Sequence, residues 1–210
     1  MKFNDKKYWE EFYEEVLQKS RLLNPTPFSE FVLDHYLSKN ERLVELGSGN
    51  GRDSIYFAKN DIQVTSIDQC ANVIQNLSHY KNITAYSLDF TNLQRFETKF
   101  DVVYSRFTLH SIDLEGENRT IVWSYDNLKT RGRLCIEART LKDPIYGKGE
   151  YKGTNTWFYN NHHRRFIDAE KFRVKLEKIG FKVLIFKEER GFAKMGDDND
   201  PVILRLIVEK

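Results

Sequence analysis

Cysteine is nearly missing from this chain. Its 210 residues include two, Cys70 and Cys135, too few and too far apart for a disulfide scaffold or a zinc knuckle. Proline (4) and glycine (11) are also scarce, which excludes collagen-like and proline-rich disordered sequence. No apolar run reaches the roughly 18–20 residues of a membrane span. The charged, aromatic start from Met1 to Lys7 lacks a signal-peptide core. Charge of one sign is lacking too: 33 Lys+Arg stand against 31 Asp+Glu, a net +2. That excludes a uniformly basic surface built to neutralise many phosphates of a nucleic acid. The expectation is a cytoplasmic protein with no nucleic-acid partner and no membrane span. What the chain does have is 40% hydrophobic and 14% aromatic residues, enough to bury one sizeable core.

Residues 5–19 place Tyr8, Phe12 and Val16 at helical spacing, with Trp9 and Tyr13 beside them, which predicts an aromatic-faced helix. Pro27 at a first helical position and Thr26 as its cap predict a second helix ending near Lys39. From Arg42 short apolar runs alternate with helical patterns. Strands are expected at 43–46, 62–67, 83–88, 100–104 and 133–138, and helices at 52–59, 71–80 and 114–128. Strands separated by helices imply a doubly wound, parallel α/β sheet. Asp168 should cap a further helix that Gly180 ends. Strands at 181–186 and 202–208 then follow as antiparallel neighbours, because loop 187–201 is too short for a crossover helix. The organisation read from this is one domain over 1–210. It comprises an N-terminal helical lid (1–40), a cofactor-binding core (41–138), an irregular acceptor-side insertion (139–167) and a C-terminal helix and strand pair (168–210).

The most informative string runs Glu45-Leu46-Gly47-Ser48-Gly49-Asn50-Gly51-Arg52-Asp53, between a strand and a helix. Glycines there let the backbone turn tightly against a ligand. A dinucleotide fingerprint wants a glycine at position 52, where Arg52 stands. Glu45 beside the turn would repel a pyrophosphate and suits a ligand with cationic groups. Asp68 ends the second strand, where a carboxylate can accept ribose hydroxyls. Asp89 ends the third and can accept an adenine amino group while Phe90 covers the ring. Each aspartate also reads as a turn residue capping the next helix.

Together with Phe100-Asp101-Val102-Val103, these residues resemble the class I S-adenosylmethionine-dependent methyltransferases over roughly residues 40–138. The resemblance implies a seven-stranded Rossmann-like sheet with the last strand antiparallel, and S-adenosyl-L-methionine as cofactor with S-adenosylhomocysteine as product. It places Glu45, Gly47, Ser48, Gly49, Asn50, Gly51, Asp68, Gln69, Asp89, Phe90 and Ser105 at the cofactor. It leaves the acceptor open, since this fold hosts many substrates.

Methyl transfer from a sulfonium is an in-line displacement, so the acceptor should sit at the carboxyl ends of the fourth and fifth strands. The fourth runs into Ser105-Arg106-Phe107-Thr108-Leu109-His110-Ser111, without the Asp/Asn-Pro-Pro-Tyr/Phe motif of amino-methylating nucleic-acid enzymes. No aspartate stands there for a catechol-type metal site, and adjacent His162 and His163 rarely converge on one ion; no metal is expected. His110 is the candidate base for a hydroxyl acceptor, and reads equally as a packing histidine. Residues 139–166 hold six basic residues, Arg139, Lys142, Lys148, Lys152, Arg164 and Arg165, against Asp143 and Glu150. That is +4 of charge in an aromatic segment, on a body at −2. Guanidinium forks bind carboxylate or phosphate bidentately, so Arg106, Tyr146, His163, Arg164 and Arg165 become acceptor-binding candidates, with Arg139 and His110 as catalytic ones. The alternative is a solvated basic loop. The N-terminal aromatics Tyr8, Trp9, Tyr13 and Phe28 could shield the sulfonium, or simply pack on the sheet. Arg52-Asp53 could orient the cofactor's amino-acid end or cap a helix. Asp197-Asp198-Asn199-Asp200 reads as a solvated hairpin loop.

The strings Leu109-His110-Ser111-Ile112-Asp113, Glu137-Ala138-Arg139 and Tyr146-Gly147-Lys148-Gly149 are also similar to small bacterial methyltransferases associated with surface-polysaccharide biosynthesis. Combined, these readings predict an O-methyltransferase of a small anionic metabolite: a sugar, sugar acid or phosphate-type compound. An already ionised acceptor oxygen would need no base. Two alternatives stay open: N- or S-methylation of a small heteroaromatic or inorganic acceptor, and a non-catalytic S-adenosylmethionine-binding module.

Overall fold

A computed structural model describes residues 5–18, 24–193 and 200–210. Helix α1 (Lys6–Gln18) and α2 (Pro27–Tyr36) precede the sheet. Thr26 caps α2 as its sequence predicts, its hydroxyl accepting from the Ser29 N–H at 3.1 Å. The alternating part follows as β1 (Arg42–Leu46), α3 (Arg52–Lys59), β2 (Gln63–Asp68), α4 (Ala71–Leu77), β3 (Ile83–Ser87), β4 (Phe100–Arg106), α5 (Leu114–Asn127) and β5 (Leu128–Arg139). After β5 come three short strands, β6 (Glu150–Gly153), β7 (Thr156–Tyr159) and β8 (His162–Arg165). Helix α6 (Ala169–Ile179) and strands β9 (Lys182–Glu189) and β10 (Ile203–Glu209) complete the chain.

The main sheet has seven strands in the order β3-β2-β1-β4-β5-β10-β9. β1 pairs in parallel with β2 and β4, β4 with β5, and β10 runs antiparallel between β5 and β9. The strand order reverses between β1 and β4, and ligands of open α/β sheets bind at that switch point, beyond the strands' carboxyl ends. Strands buried on both faces need apolar residues throughout, which explains Leu43, Val44 and Leu46 at 0% exposure. One core layer lies on each side. Leu46, Phe100, Ile121, Leu134 and Leu206 pack under α5 and α6, while Phe28, Leu43, Phe57, Val102 and Tyr104 pack under α2 and α3.

Within the insertion expected to be irregular, residues 141–148 run through turns, while 150–165 form the antiparallel three-stranded sheet β6-β7-β8. Two tight turns build it, with left-handed backbone at Thr154 and Asn155 (φ 47° and 57°) and at Asn160 and Asn161 (φ 51° and 62°). This is the geometry of primed hairpin turns. β5 also begins earlier than expected, at Leu128 rather than Arg133. Its pairing with β4 is irregular where Arg131 turns left-handed. Of the Asp197–Asp200 string, only Asp200 is among the described residues; its carboxylate accepts from the Gly191 N–H at 2.8 Å.

Candidate active site

A cleft of about 500 Å³ opens at the switch point, lined by α1, the glycine turn, the ends of β2 to β5, and β8. The turn after β1 needs its glycines. Gly47, Gly49 and Gly51 have φ of 74°, 54° and 75°, which side-chain-bearing residues rarely adopt. A Cβ on Gly47 would come within 2.4 Å of Thr108, and one on Gly49 within 2.3 Å of the Tyr13 hydroxyl.

Asp68 closes this turn from the next strand. One carboxylate oxygen accepts from the Gly49 N–H and the other from the Cys70 N–H, both at 2.9 Å. Asp89 uses Oδ1 for the Thr91 N–H (2.9 Å) and hydroxyl (2.7 Å), and the two residues line the cleft with Phe90. Glu45 lies beneath the turn, accepting from the Ser54 hydroxyl at 2.5 Å. Burial, and then the Asp53 carboxylate, raises its proton affinity well above the carboxylate norm. Ser48 presents a buried hydroxyl with no partner among the described residues on the cleft lining, a donor that suits a ligand atom. Asn50 and Gln69 line the cleft as well. Ser105 does not: it is 1% exposed and shares a hydrogen bond with the Thr108 hydroxyl at 2.5 Å. It braces the turn that follows β4.

Asp53 reaches the cleft lining, but its carboxylate is engaged within the fold. Its carboxylate accepts from the Thr26 N–H and hydroxyl (both 2.8 Å), the Ser29 hydroxyl (2.9 Å) and the Tyr104 hydroxyl (2.9 Å). It ties α2 to α3 and β4. Phe28 belongs to the core, stacked on Tyr104 with centroids 5.1 Å apart. Tyr8, Trp9 and Tyr13 do line the cleft, and Tyr8 stacks on His162 at 4.3 Å.

At the opposite end stand His110, Arg106, Arg139 and Arg164. His110 is held neutral: burial first, then the Arg139 charge, lowers its pKa well below 6.5. Its Nδ1 accepts from the Arg139 backbone N–H at 3.4 Å, so the neutral ring carries its proton on Nε2. Arg139 pairs with Asp143 at 2.5 Å and Arg106 with Glu137 at 3.2 Å. Arg164 donates to the Tyr159 carbonyl at 2.9 Å and has no carboxylate partner among the described residues. Burial and the facing Arg139 charge weaken its hold on the proton.

Strand periodicity sorts the basic string on β8. Alternate residues face opposite sides, so His162 and Arg164 line the cleft while His163 and Arg165 turn away. Arg165 is therefore not an acceptor ligand. It binds the buried Glu117 carboxylate and the carbonyls of Leu109 (3.0 Å) and Ile112 (3.1 Å), pinning the segment that carries His110. His163 is likewise corrected: it holds Asp5 at the start of α1, by its backbone N–H at 2.8 Å and its ring at 2.9 Å. Tyr146 also lies off the cleft, packed edge-on against Trp157 and Phe166 at 4.5 and 5.4 Å. Phe107, Ser111 and Arg119 line the cleft although the sequence assigned none of them a role.

A family model described as a methyltransferase domain matches residues 10–184. The chain belongs to the methyltransferase domain family. The enzyme is 24% identical over 160 residues to the phosphoethanolamine N-methyltransferase of Plasmodium falciparum (isolate 3D7), covering 74% of this chain and 59% of that protein. It thus aligns with little more than half of that relative's length. Its fold is similar to an S-adenosylmethionine-dependent methyltransferase of Methanosarcina mazei (TM-score 0.68, 18% identity, 90% of this chain and 99% of that one). It is also similar to the 1,6-didemethyltoxoflavin N1-methyltransferase of Burkholderia thailandensis, solved with that compound and S-adenosylhomocysteine (TM-score 0.65, 18% identity, 88% and 76%). The family is thus a methyltransferase one, and the fold is that of S-adenosylmethionine-dependent methyltransferases.

The cleft fits that cofactor. The glycine turn with its Ser48 hydroxyl offers room and a donor, and Asp68 and Asp89 line the cleft with carboxylate acceptors. When bound, S-adenosylmethionine supplies an electrophilic methyl group on a sulfonium.

Proposed function

We propose that the enzyme methylates an oxygen of a small cytoplasmic metabolite carrying its own negative charge, such as a sugar acid or a phosphorylated sugar. Arg164 is the observation that carries this. A half-buried guanidinium with no carboxylate partner among the described residues bears part of a desolvation cost, and an anionic ligand offsets it. Arg139 and Arg106, each already paired, add direction to the same end. The two buried free thiols, Cys70 and Cys135, suit a reducing compartment.

The chain's own groups would work by alignment. Arg164 holds the anionic group, and Nε2–H of His110 donates to it or to the acceptor oxygen. Tyr8, Trp9 and Tyr13 on α1 close the cleft as a lid and keep water from the methyl. Asp68, Asp89, Phe90 and Ser48 hold the ribose, adenine and amino-acid ends of the donor. With Nδ1 of His110 engaged by the backbone, His110 acts in this reading as a donor rather than a base, and the acceptor oxygen arrives ionised.

A second reading is methylation of a neutral amine on a phosphate-bearing acceptor, which also needs no base. The relative named for phosphoethanolamine favours it. Product analysis decides between them. S-Adenosylmethionine carrying a labelled methyl is incubated with phosphorylated sugars, sugar acids and phosphorylated amines, and the products are fragmented by mass spectrometry. A methyl ester supports the oxygen reading, and an N-methyl product supports the amine reading. A methyl ether would show that a hydroxyl is deprotonated and remove the ionised-oxygen reading, and transfer to neutral compounds alone removes both readings.

A further inference from the structure

Phe107 follows β4 and lines the acceptor end of the cleft. Its φ is 58°, in the left-handed region that a bulky side chain occupies only at steric cost. Such a conformation persists where the surroundings over-determine it, and it clusters at working sites. Here the Phe107 N–H donates to the Glu137 carbonyl at 2.8 Å. The flanking Ser105 and Thr108 hydroxyls are bonded to each other across it. Glycine would make this turn without strain, so the ring is kept for something other than the backbone.

That ring is where three acceptor-side groups meet. The Arg106 guanidinium lies 4.3 Å from its centroid and the Arg139 guanidinium 5.6 Å. The His110 imidazole meets it edge-to-face at 5.4 Å. Each guanidinium is gripped from another side by a carboxylate, Glu137 for Arg106 and Asp143 for Arg139. Two cations repel one another, and attraction of both to one aromatic ring offsets part of that repulsion.

Building on the anionic-acceptor reading, we infer that Phe107 is a positioning residue for methyl transfer. Its ring holds Arg106, Arg139 and His110 in the arrangement that receives the acceptor's charged group. The left-handed turn at Phe107 is what brings the ring there.

The test uses the full chain saturated with S-adenosylhomocysteine and inorganic phosphate as the anion probe, followed by calorimetry and phosphorus NMR. Phosphate affinity should fall about five- to thirtyfold in Phe107→Leu and Phe107→Gly, and Phe107→Tyr, which keeps the π-face, should retain it. S-Adenosylhomocysteine affinity should be unchanged in all three. Phe107→Gly relieves the backbone strain, so its thermal midpoint should be no lower than that of Phe107→Leu, which separates loss of the ring from loss of the fold. Wild-type phosphate affinity in Phe107→Leu would overturn the inference. Arg164→Ala separates it from the reading beneath. If wild type binds phosphate, Arg164→Ala loses it and the Phe107 variants keep it, only the positioning role fails. If wild type binds none, or Arg164→Ala binds as well as wild type, the anionic-acceptor reading fails and the inference with it.

Discussion

The backbone N–H of Arg139 donates to Nδ1 of His110 at 3.4 Å, and this contact fixes which ring nitrogen faces the cleft with a proton. A base would present a bare nitrogen there, whereas a donor presents N–H. Glutamine can place an amide N–H near the position of Nε2. His110→Gln should therefore keep turnover close to wild type, while His110→Ala loses about 10²-fold, as for removal of a single oxyanion donor. Steady-state rates of the two variants check it, and equal inactivity of both would restore the base.

His110 and His162 are both held neutral by burial, His162 with its pKa lowered to about 4. Unfolded, each titrates near 6.5, so between pH 4 and 6.5 the unfolded chain binds more protons than the native one. Stability then rises with pH across that window. It should be at its full value above pH 6.5 and decline as pH falls toward 4. Urea midpoints at pH 7.5, 6, 5 and 4.5 measure this, and a flat profile down to pH 5 would rule it out.

Arg165 and Glu117 form a buried pair beneath the His110 segment, and Lys175 binds the other Glu117 oxygen. Removing Arg165 leaves Lys175 as the remaining cation on Glu117 and strips the Leu109 and Ile112 carbonyls of a donor, at about 1–3 kcal/mol. Arg165→Met should cost stability of that order in chemical denaturation, with S-adenosylhomocysteine affinity little changed in the folded fraction. A variant as stable as wild type would mean that Arg165 is not the anchor.

Asp53 accepts four hydrogen bonds from Thr26, Ser29 and Tyr104. Asp53→Ala strands those donors in the core and should cost about 2–4 kcal/mol. Tyr104→Phe removes one donor and should cost about 1 kcal/mol. Denaturant midpoints order the two, and equal losses would show that the network is not shared through Asp53.

Gly49→Ala puts a methyl group where the Tyr13 hydroxyl sits, 2.3 Å away, on a left-handed residue. S-Adenosylhomocysteine affinity should drop at least about tenfold, since the turn must open or α1 must lift. Calorimetric titration reads this directly, and unchanged affinity would place the donor elsewhere.

Much of this was legible in the residues. The glycine turn, the acidic strand ends at Asp68 and Asp89 and the antiparallel final pair all rest on local spacing. The misread insertion had a signal in Asn160-Asn161, a favoured pair for a primed turn between aromatic flanks; Thr154 at φ 47° disguised the other turn, because a β-branched residue seldom sits there. Without a strand at β8, Arg164 and Arg165 read as equivalent. With alternation known, only one of them could reach the cleft. Phe107 carried no signal at all, since a left-handed phenylalanine is set by tertiary contacts with Glu137, Ser105 and Thr108.

The central claim, an acceptor held by its charge on Arg164, is tested most directly by paired substrates. Release of S-adenosylhomocysteine is measured with anionic acceptors and with their uncharged analogues, in wild type and in Arg164→Ala. The account predicts turnover that favours the anionic member in wild type, with that preference abolished in Arg164→Ala through a raised KM. Equal turnover of charged and uncharged members, or a preference that survives in Arg164→Ala, would contradict it.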